Sequence, residues 1–213
     1  MSNIDPQEDG PLLVKGETVI RDQTGAELPS KPMVALCRCG ASNSKPYCDG
    51  SHVAIGFSTQ SDGSALRNTA IRYPGVVDGK DVTVSYTPVL CSHAAECQKG
   101  VTAVFDPSRK PWIDVSEGDL PDVLSAVGAC PSGALRIEVG ALAGPMHLTD
   151  GAVDISIEKN GPYRVRNIPL DAEFESEGSS QAKFVLCRCG QSKNKPFCDG
   201  THYEVKWQDG DAP

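Results

Sequence analysis

The residues of this chain that could do chemistry come in threes. Its nine cysteines fall into Cys37, Cys39 and Cys48, then Cys91, Cys97 and Cys130, then Cys187, Cys189 and Cys198, and three of its four histidines, His52, His93 and His202, sit inside those groups. Thiolates and imidazoles in such sets are ligands for zinc or for iron-sulfur clusters. An odd total cannot pair fully as disulfides, and a bridge within Cys-x-Cys is strained because neighbouring positions of an extended chain point apart. The remaining histidine, His147, stands apart in Pro145-Met146-His147-Leu148 and reads as a surface or loop residue.

The first and third groups are copies of one another. Residues 37–52 and 187–202 form two sixteen-residue cassettes, identical at eleven positions, with Phe197 in the place of Tyr47 and Thr201 in the place of Ser51. The likeness continues upstream at lower fidelity. Gly10-Pro11 precedes Cys37 by 27 residues and Gly161-Pro162 precedes Cys187 by 26, so the duplicated unit is roughly 40 to 45 residues. Structural zinc prefers Cys-x2-4-Cys knuckles, and Cys-x-Cys is shorter than that. Two thiolates on one iron and the remaining Cys and His on the other iron of a 2Fe-2S cluster suit the spacing better. On spacing alone both metals stay open.

Short strands must deliver these ligands. Met33-Val34-Ala35-Leu36 and Phe184-Val185-Leu186 lead into the cassettes, and Val153 to Ile157 alternates as a half-buried strand. Pro46, Pro196 and the Asp-Gly pairs break any long helix, so the ligands belong on loops, with Asp49 or Asp199 capping a short turn that carries the histidine. The middle segment differs. Val82, Val84 and Tyr86 alternate as a strand towards Cys91, and Leu120, Val123, Leu124 and Val127 make one apolar helix face that begins near Asp119 and ends before Cys130-Pro131. Glycine-rich stretches at 61–64 and 140–144 mark boundaries, which gives units of 1–60, 61–143 and 144–213.

Composition narrows the functional classes. The chain has 213 residues, 39% of them hydrophobic, with many Gly and Pro. That suits small units that a metal helps to hold together. A net charge of −8 without a basic run argues against nucleic acid or an anionic membrane as partner. The first residues lack the features of a signal peptide, no apolar run approaches the length of a membrane span, and unpaired cysteines point to the cytoplasm. There is no dinucleotide fingerprint, no phosphate loop and no nucleophile with a base at motif spacing, so an electron-transfer or cluster-transfer protein is expected rather than an enzyme.

Both cassettes resemble the signature of the CDGSH iron-sulfur (NEET) family, Cys-x-Cys-x2-Ser/Thr-x3-Pro-x-Cys-Asp-Gly-Ser/Ala/Thr-His. The resemblance implies a 2Fe-2S cluster in each, with Cys37 and Cys39 on the buried iron and Cys48 and His52 on the outer one, repeated by Cys187, Cys189, Cys198 and His202. It also implies an α+β fold in which two small β-rich units with cluster-binding loops pair within one chain, leaving the protein possible as a monomer. At Ser42 and Ser192 the family pattern has a hydroxyl that bonds a cluster sulfide or shapes the loop, and Lys45 and Lys195 are candidates to offset cluster charge.

The middle segment resembles a divergent single-cluster ferredoxin domain, on Cys91-x5-Cys97, Cys130-Pro131-Ser132-Gly133, Phe105-Asp106-Pro107 and Pro111-Trp112-Ile113. Ala94 stands where such a motif has another ligand, with His93 one residue early. A 3Fe-4S cluster on Cys91, Cys97 and Cys130, a 4Fe-4S cluster completed by His93 or an external ligand, and an empty site all remain open. The expected partner is a redox protein or a cluster acceptor.

Overall fold

The computed structural model describes residues 2–29, 31–61, 63–140, 144–173 and 175–210. The boundary stretches expected at 61–64 and 140–144 fall partly outside the described residues. Among the described residues ten strands dominate, and the architecture is sheet-rich with little helix, consistent with an α+β protein.

Strands β1 (Asn3–Pro6), β2 (Leu12–Lys15) and β4 (Met33–Leu36) form one antiparallel sheet. Their duplicates β8 (Asp154–Ile157), β9 (Tyr163–Arg166) and β10 (Lys183–Leu186) form another with the same connectivity. Alternation drives both. Leu12 and Val14 of β2, and Tyr163 and Val165 of β9, are buried while their neighbours are half-buried or exposed.

The halves exchange strands. Strand β3 (Val19–Arg21) leaves the first half and pairs in parallel with β8 of the second, Ile20 opposite Ile155. In return the second half lays Leu170 parallel to Ile4, with Ile4 N–H donating to Pro169 O at 2.8 Å and Asp171 N–H donating to Ile4 O at 2.8 Å. The exchange merges the two halves into one core, in which Ile4, Leu12, Val14 and Leu36 pack with Ile155, Tyr163, Val165 and Leu186. Asp154 clamps the exchanged strand. Its buried carboxylate takes Arg166 at 2.8 and 2.7 Å and Arg21 of β3 at 3.2 Å.

The middle unit has its own antiparallel sheet, β5 (Ile71–Val77), β6 (Lys80–Tyr86) and β7 (Leu135–Val139), and its own core. One helix crosses it. The ten-residue helix Leu120–Ala129 starts where Asp119 accepts from Asp122 N–H at 2.9 Å, and it buries Val123, Ala126 and Val127. Its C-terminal carbonyls are met from the second half: Lys183 Nζ, on β10, donates to Val127 O at 3.3 Å and Gly128 O at 3.2 Å. Every residue of β10 is consequently buried, whereas Met33 of β4, with no such cover, is exposed. Among the described residues no helix is long and apolar enough to cross a membrane.

Candidate metal centres

Each cassette begins where a strand ends. Beyond β4 the chain turns back so that Cys37 N–H donates to Pro46 O and Cys48 N–H donates to Ala35 O, both at 2.8 Å, which sets the third cysteine beside the first two. The second cassette repeats this, with Cys187 N–H to Pro196 O at 2.8 Å and Cys198 N–H to Val185 O at 3.0 Å. This fold-back is the physical reason for the eight-residue gap. Gly50 and Gly200, at φ 89° and 86°, then swing the chain into the four-residue helices Ser51–Ala54 and Thr201–Glu204, whose second residues are the histidines.

The polar side chains of the loop shape it. Asp49 accepts from Asn43 N–H at 2.8 Å and Ser51 N–H at 3.0 Å, and Asp199 makes the equivalent bonds. Ser42 Oγ donates to Tyr47 O and Ser192 Oγ to Phe197 O, each at 2.6 Å. Lys45 Nζ and Lys195 Nζ hold the carbonyls of Ser42 and Ser192. Of the two roles expected for the serines, this is loop-shaping. The Lys195 charge also helps to pull the Cys187 thiol down.

The donors stand as pairs. Cys37 and Cys39 Sγ are 3.6 Å apart and Cys187 and Cys189 Sγ 3.8 Å. Cys48 Sγ lies 3.4 Å from His52 Nδ1, and Cys198 Sγ 3.4 Å from His202 Nδ1. Two thiolates bonded at about 2.3 Å to one tetrahedral ion stand about 3.8 Å apart, and a thiolate and an imidazole nitrogen about 3.5 Å. All four separations match the edges of a tetrahedral metal site. Among the described residues no three such donors close on a single ion.

The electrostatics fit a cationic occupant. Burial pushes the Cys39 thiol up to about 11 and raises Cys198 as well. Cys187 is lowered, first by its contact with the Cys189 thiol, and Cys189 is raised by the same contact. Cys39, Cys189 and Cys198, raised in this way, keep their protons unless a cation replaces them. Burial also lowers His202, favouring the neutral imidazole that binds metal, and its Nε2 is buried without a hydrogen-bond partner.

The two Cys-x-Cys turns meet back to back. Cys39 and Cys189 form an isolated antiparallel bridge. Tyr163, fully buried in the second half, donates its hydroxyl to Cys37 O of the first at 2.7 Å. The intervening residue of each turn is an arginine that the motif reading passed over. Arg38 Nε donates to Gly10 O at 2.7 Å and Arg188 Nε to Gly161 O at 2.9 Å, and both side chains are buried. Arg188 also pairs with buried Asp209 and lies 4.9 Å from the Trp207 ring. The only sequence signal for this pair is its identity in both copies.

In the middle unit Cys91, Cys97 and Cys130 line one hollow with Tyr86, Trp112, Ser132 and Leu135. Burial raises Cys91 and pushes Cys97 up to about 12. His93 is not among the residues lining it. Held at φ 57°, His93 instead turns onto Gly200 of the second cassette. His147 is half-buried rather than on the surface and packs against Gly133.

Comparison with known proteins matches residues 9–53 and 160–203 to the family described as iron-binding zinc finger CDGSH type, and residues 77–139 to the divergent 4Fe-4S mono-cluster family. The protein YjdI of Escherichia coli is 36% identical over 58 residues, which is 27% of this chain and 76% of that protein. A CDGSH iron-sulfur domain-containing protein 2 homolog of Drosophila sechellia is 30% identical over 107 residues, 50% of this chain and 72% of that one. CDGSH iron-sulfur domain-containing protein 1 of Rattus norvegicus is 36% identical over 63 residues, 30% of this chain and 52% of that one.

Proposed function

Because the chain belongs to the CDGSH iron-sulfur domain family, we propose that it is an electron-transfer protein carrying a 2Fe-2S cluster in each cassette and a third cluster in the middle unit. Bound in a cassette, such a cluster takes up and returns one electron. Cys37 with Cys39 would hold one iron and Cys48 with His52 the other, and Cys187, Cys189, Cys198 and His202 would repeat the set. In the middle, Cys91, Cys97 and Cys130 would hold a 3Fe-4S cluster, or a 4Fe-4S cluster completed by an external ligand. The turn of His93 towards Gly200 supports the external ligand. The units proposed are 1–60, 61–143 and 144–213, the middle one ferredoxin-like, and the setting is a reducing compartment such as the cytoplasm.

The observation that carries this reading is the contiguity of the three thiol sets. The Cys91 loop rests on Gly200, and the second cassette meets the first at Cys39 and Cys189. The chain's own residues build this line. Tyr86 and Trp112, 4.9 Å apart between ring centroids, wall the middle hollow, while Gly40 and Gly190 let the two turns touch. A redox protein partner would exchange electrons at an exposed end.

A second reading is a cluster carrier. It is favoured by the half-exposed Cys48 and His52, where neutral imidazole replaces a thiolate at the outer position. One experiment separates them. Protein reduced anaerobically with dithionite is reoxidised with one equivalent of ferricyanide per cluster, a one-electron acceptor, through repeated cycles in the presence of an apo-ferredoxin. Electron transfer predicts full spectral recovery with iron retained, and progressive loss of iron and sulfide to apo-acceptor protein supports the carrier.

A further inference from the structure

The two cassettes are near-identical in sequence and unequal in surroundings. Cys198 and His202 are each 3% exposed, whereas Cys48 and His52 are half-exposed. A Cβ placed on Gly200 would lie 2.8 Å from His93 Cδ2 and 3.2 Å from Ser92 O, and one placed on Gly50 would meet nothing within 4 Å. Asn194 donates to Val89 O of the middle unit at 3.0 Å, while its counterpart Ser44 is exposed. The middle unit therefore reaches the second cassette through the segment Val89 to His93, which contains Cys91 of the middle thiol set.

That segment is built with local strain. His93 at φ 57°, like Ala95 just beyond it at φ 56°, occupies the left-handed region that residues other than glycine rarely adopt. The backbone at His93 directs its ring onto Gly200, and His93 is not among the residues lining the hollow of Cys91, Cys97 and Cys130. Nothing in the middle unit covers the first cassette in the same way among the described residues.

We propose that the middle unit acts as a lid on the second cassette, with His93 as its latch, so that the second cluster is retained and the first alone is open to exchange. The inference rests on the cluster reading above and deepens it: the His-ligated edge at Cys48 and His52 is the port through which an acceptor or chelator reaches the protein. His93 is here a positioning residue, acting through its contact with Gly200.

The test uses the full chain, reconstituted anaerobically with iron and sulfide and challenged with excess EDTA while the visible spectrum is followed. Samples taken along the decay are alkylated with iodoacetamide and the labelled cysteines read by peptide mass spectrometry. The lid predicts early labels on Cys37, Cys39 and Cys48 and late labels on Cys187, Cys189 and Cys198. His93→Ala should bring the second set forward several-fold and leave the first unchanged. Equal labelling of both sets, or earlier labelling of the second, in the unsubstituted chain would overturn the proposal without recourse to the variant, as would a folded His93→Ala protein with unaltered order and rates. A preparation that takes up no iron and sulfide would overturn the cluster reading itself, and this inference with it.

Discussion

Cys39 and Cys189 face each other across an isolated bridge, so close that a Cβ on Gly40 would stand 2.5 Å from Cys189 O and one on Gly190 2.5 Å from Cys39 O. The glycines have φ of 81° and 78°, so alanine is excluded both by backbone conformation and by contact. Gly40→Ala should destabilise the protein by about 2 kcal/mol or more. The check is the midpoint of urea unfolding. An unchanged midpoint would show that the two cassettes are not tied at this seam.

Tyr163 ties the same seam from inside the core. Its hydroxyl donates to Cys37 O at 2.7 Å and lies 3.2 Å from Pro46 O, and the first half has Leu12 where this tyrosine stands. Tyr163→Phe keeps the ring and leaves a buried carbonyl without its donor, at a cost of about 1–2 kcal/mol. Urea unfolding measures it, and a variant as stable as the parent would contradict the account.

Acid should weaken the fold in two windows. Burial holds His147 down at about 4, with Lys183 and Arg136 adding to the effect. Between about pH 6.5 and 4 the unfolded chain therefore binds a proton that the folded one refuses, and stability falls as pH falls. His147→Gln should flatten that slope. Asp154 is lowered first by its bond to Arg166, then by Arg21. Its contribution is present above the unfolded value near 3.9 and is lost as pH falls below it. Asp154→Asn should cost about 1.5–3 kcal/mol at pH 7 and loosen β3, which hydrogen exchange at Ile20 and Arg21 would register. Equal stability of parent and His147→Gln protein at pH 7 and pH 5, relative to one another, is the outcome expected only if His147 titrates normally or not at all on unfolding.

Neutral imidazole removes a negative charge that a thiolate would supply, which raises the reduction potential of a cluster. His52→Cys should thus lower the potential of one cluster and make it more persistent. A redox titration followed by EPR reads this directly. No shift would mean that His52 does not ligate iron.

Much of the local structure was legible. Met33–Leu36 is the short apolar strand expected to lead into the first cassette, and the helix begins behind Asp119 because a carboxylate there can take the free N–H groups of the first turn. The cassette loops were legible because Pro46 and Asp49-Gly50 forbid a long helix. The strand exchange was not, since three residues of β3 carry no periodicity and their pairing with β8 is set by the shared core. The unequal cover of the cassettes lies equally beyond the motif. His93 stood near the position of a ligand in sequence, and only tertiary packing turns it onto Gly200.

The most direct test is iron, sulfide and zinc content with visible and EPR spectra on one anaerobically purified sample of the full chain. Two filled cassettes predict about four irons per chain with reduced 2Fe-2S signals, and about seven or eight if the middle site is filled as well. Colourless protein with stoichiometric zinc, unchanged by reconstitution with iron and sulfide, would contradict the account.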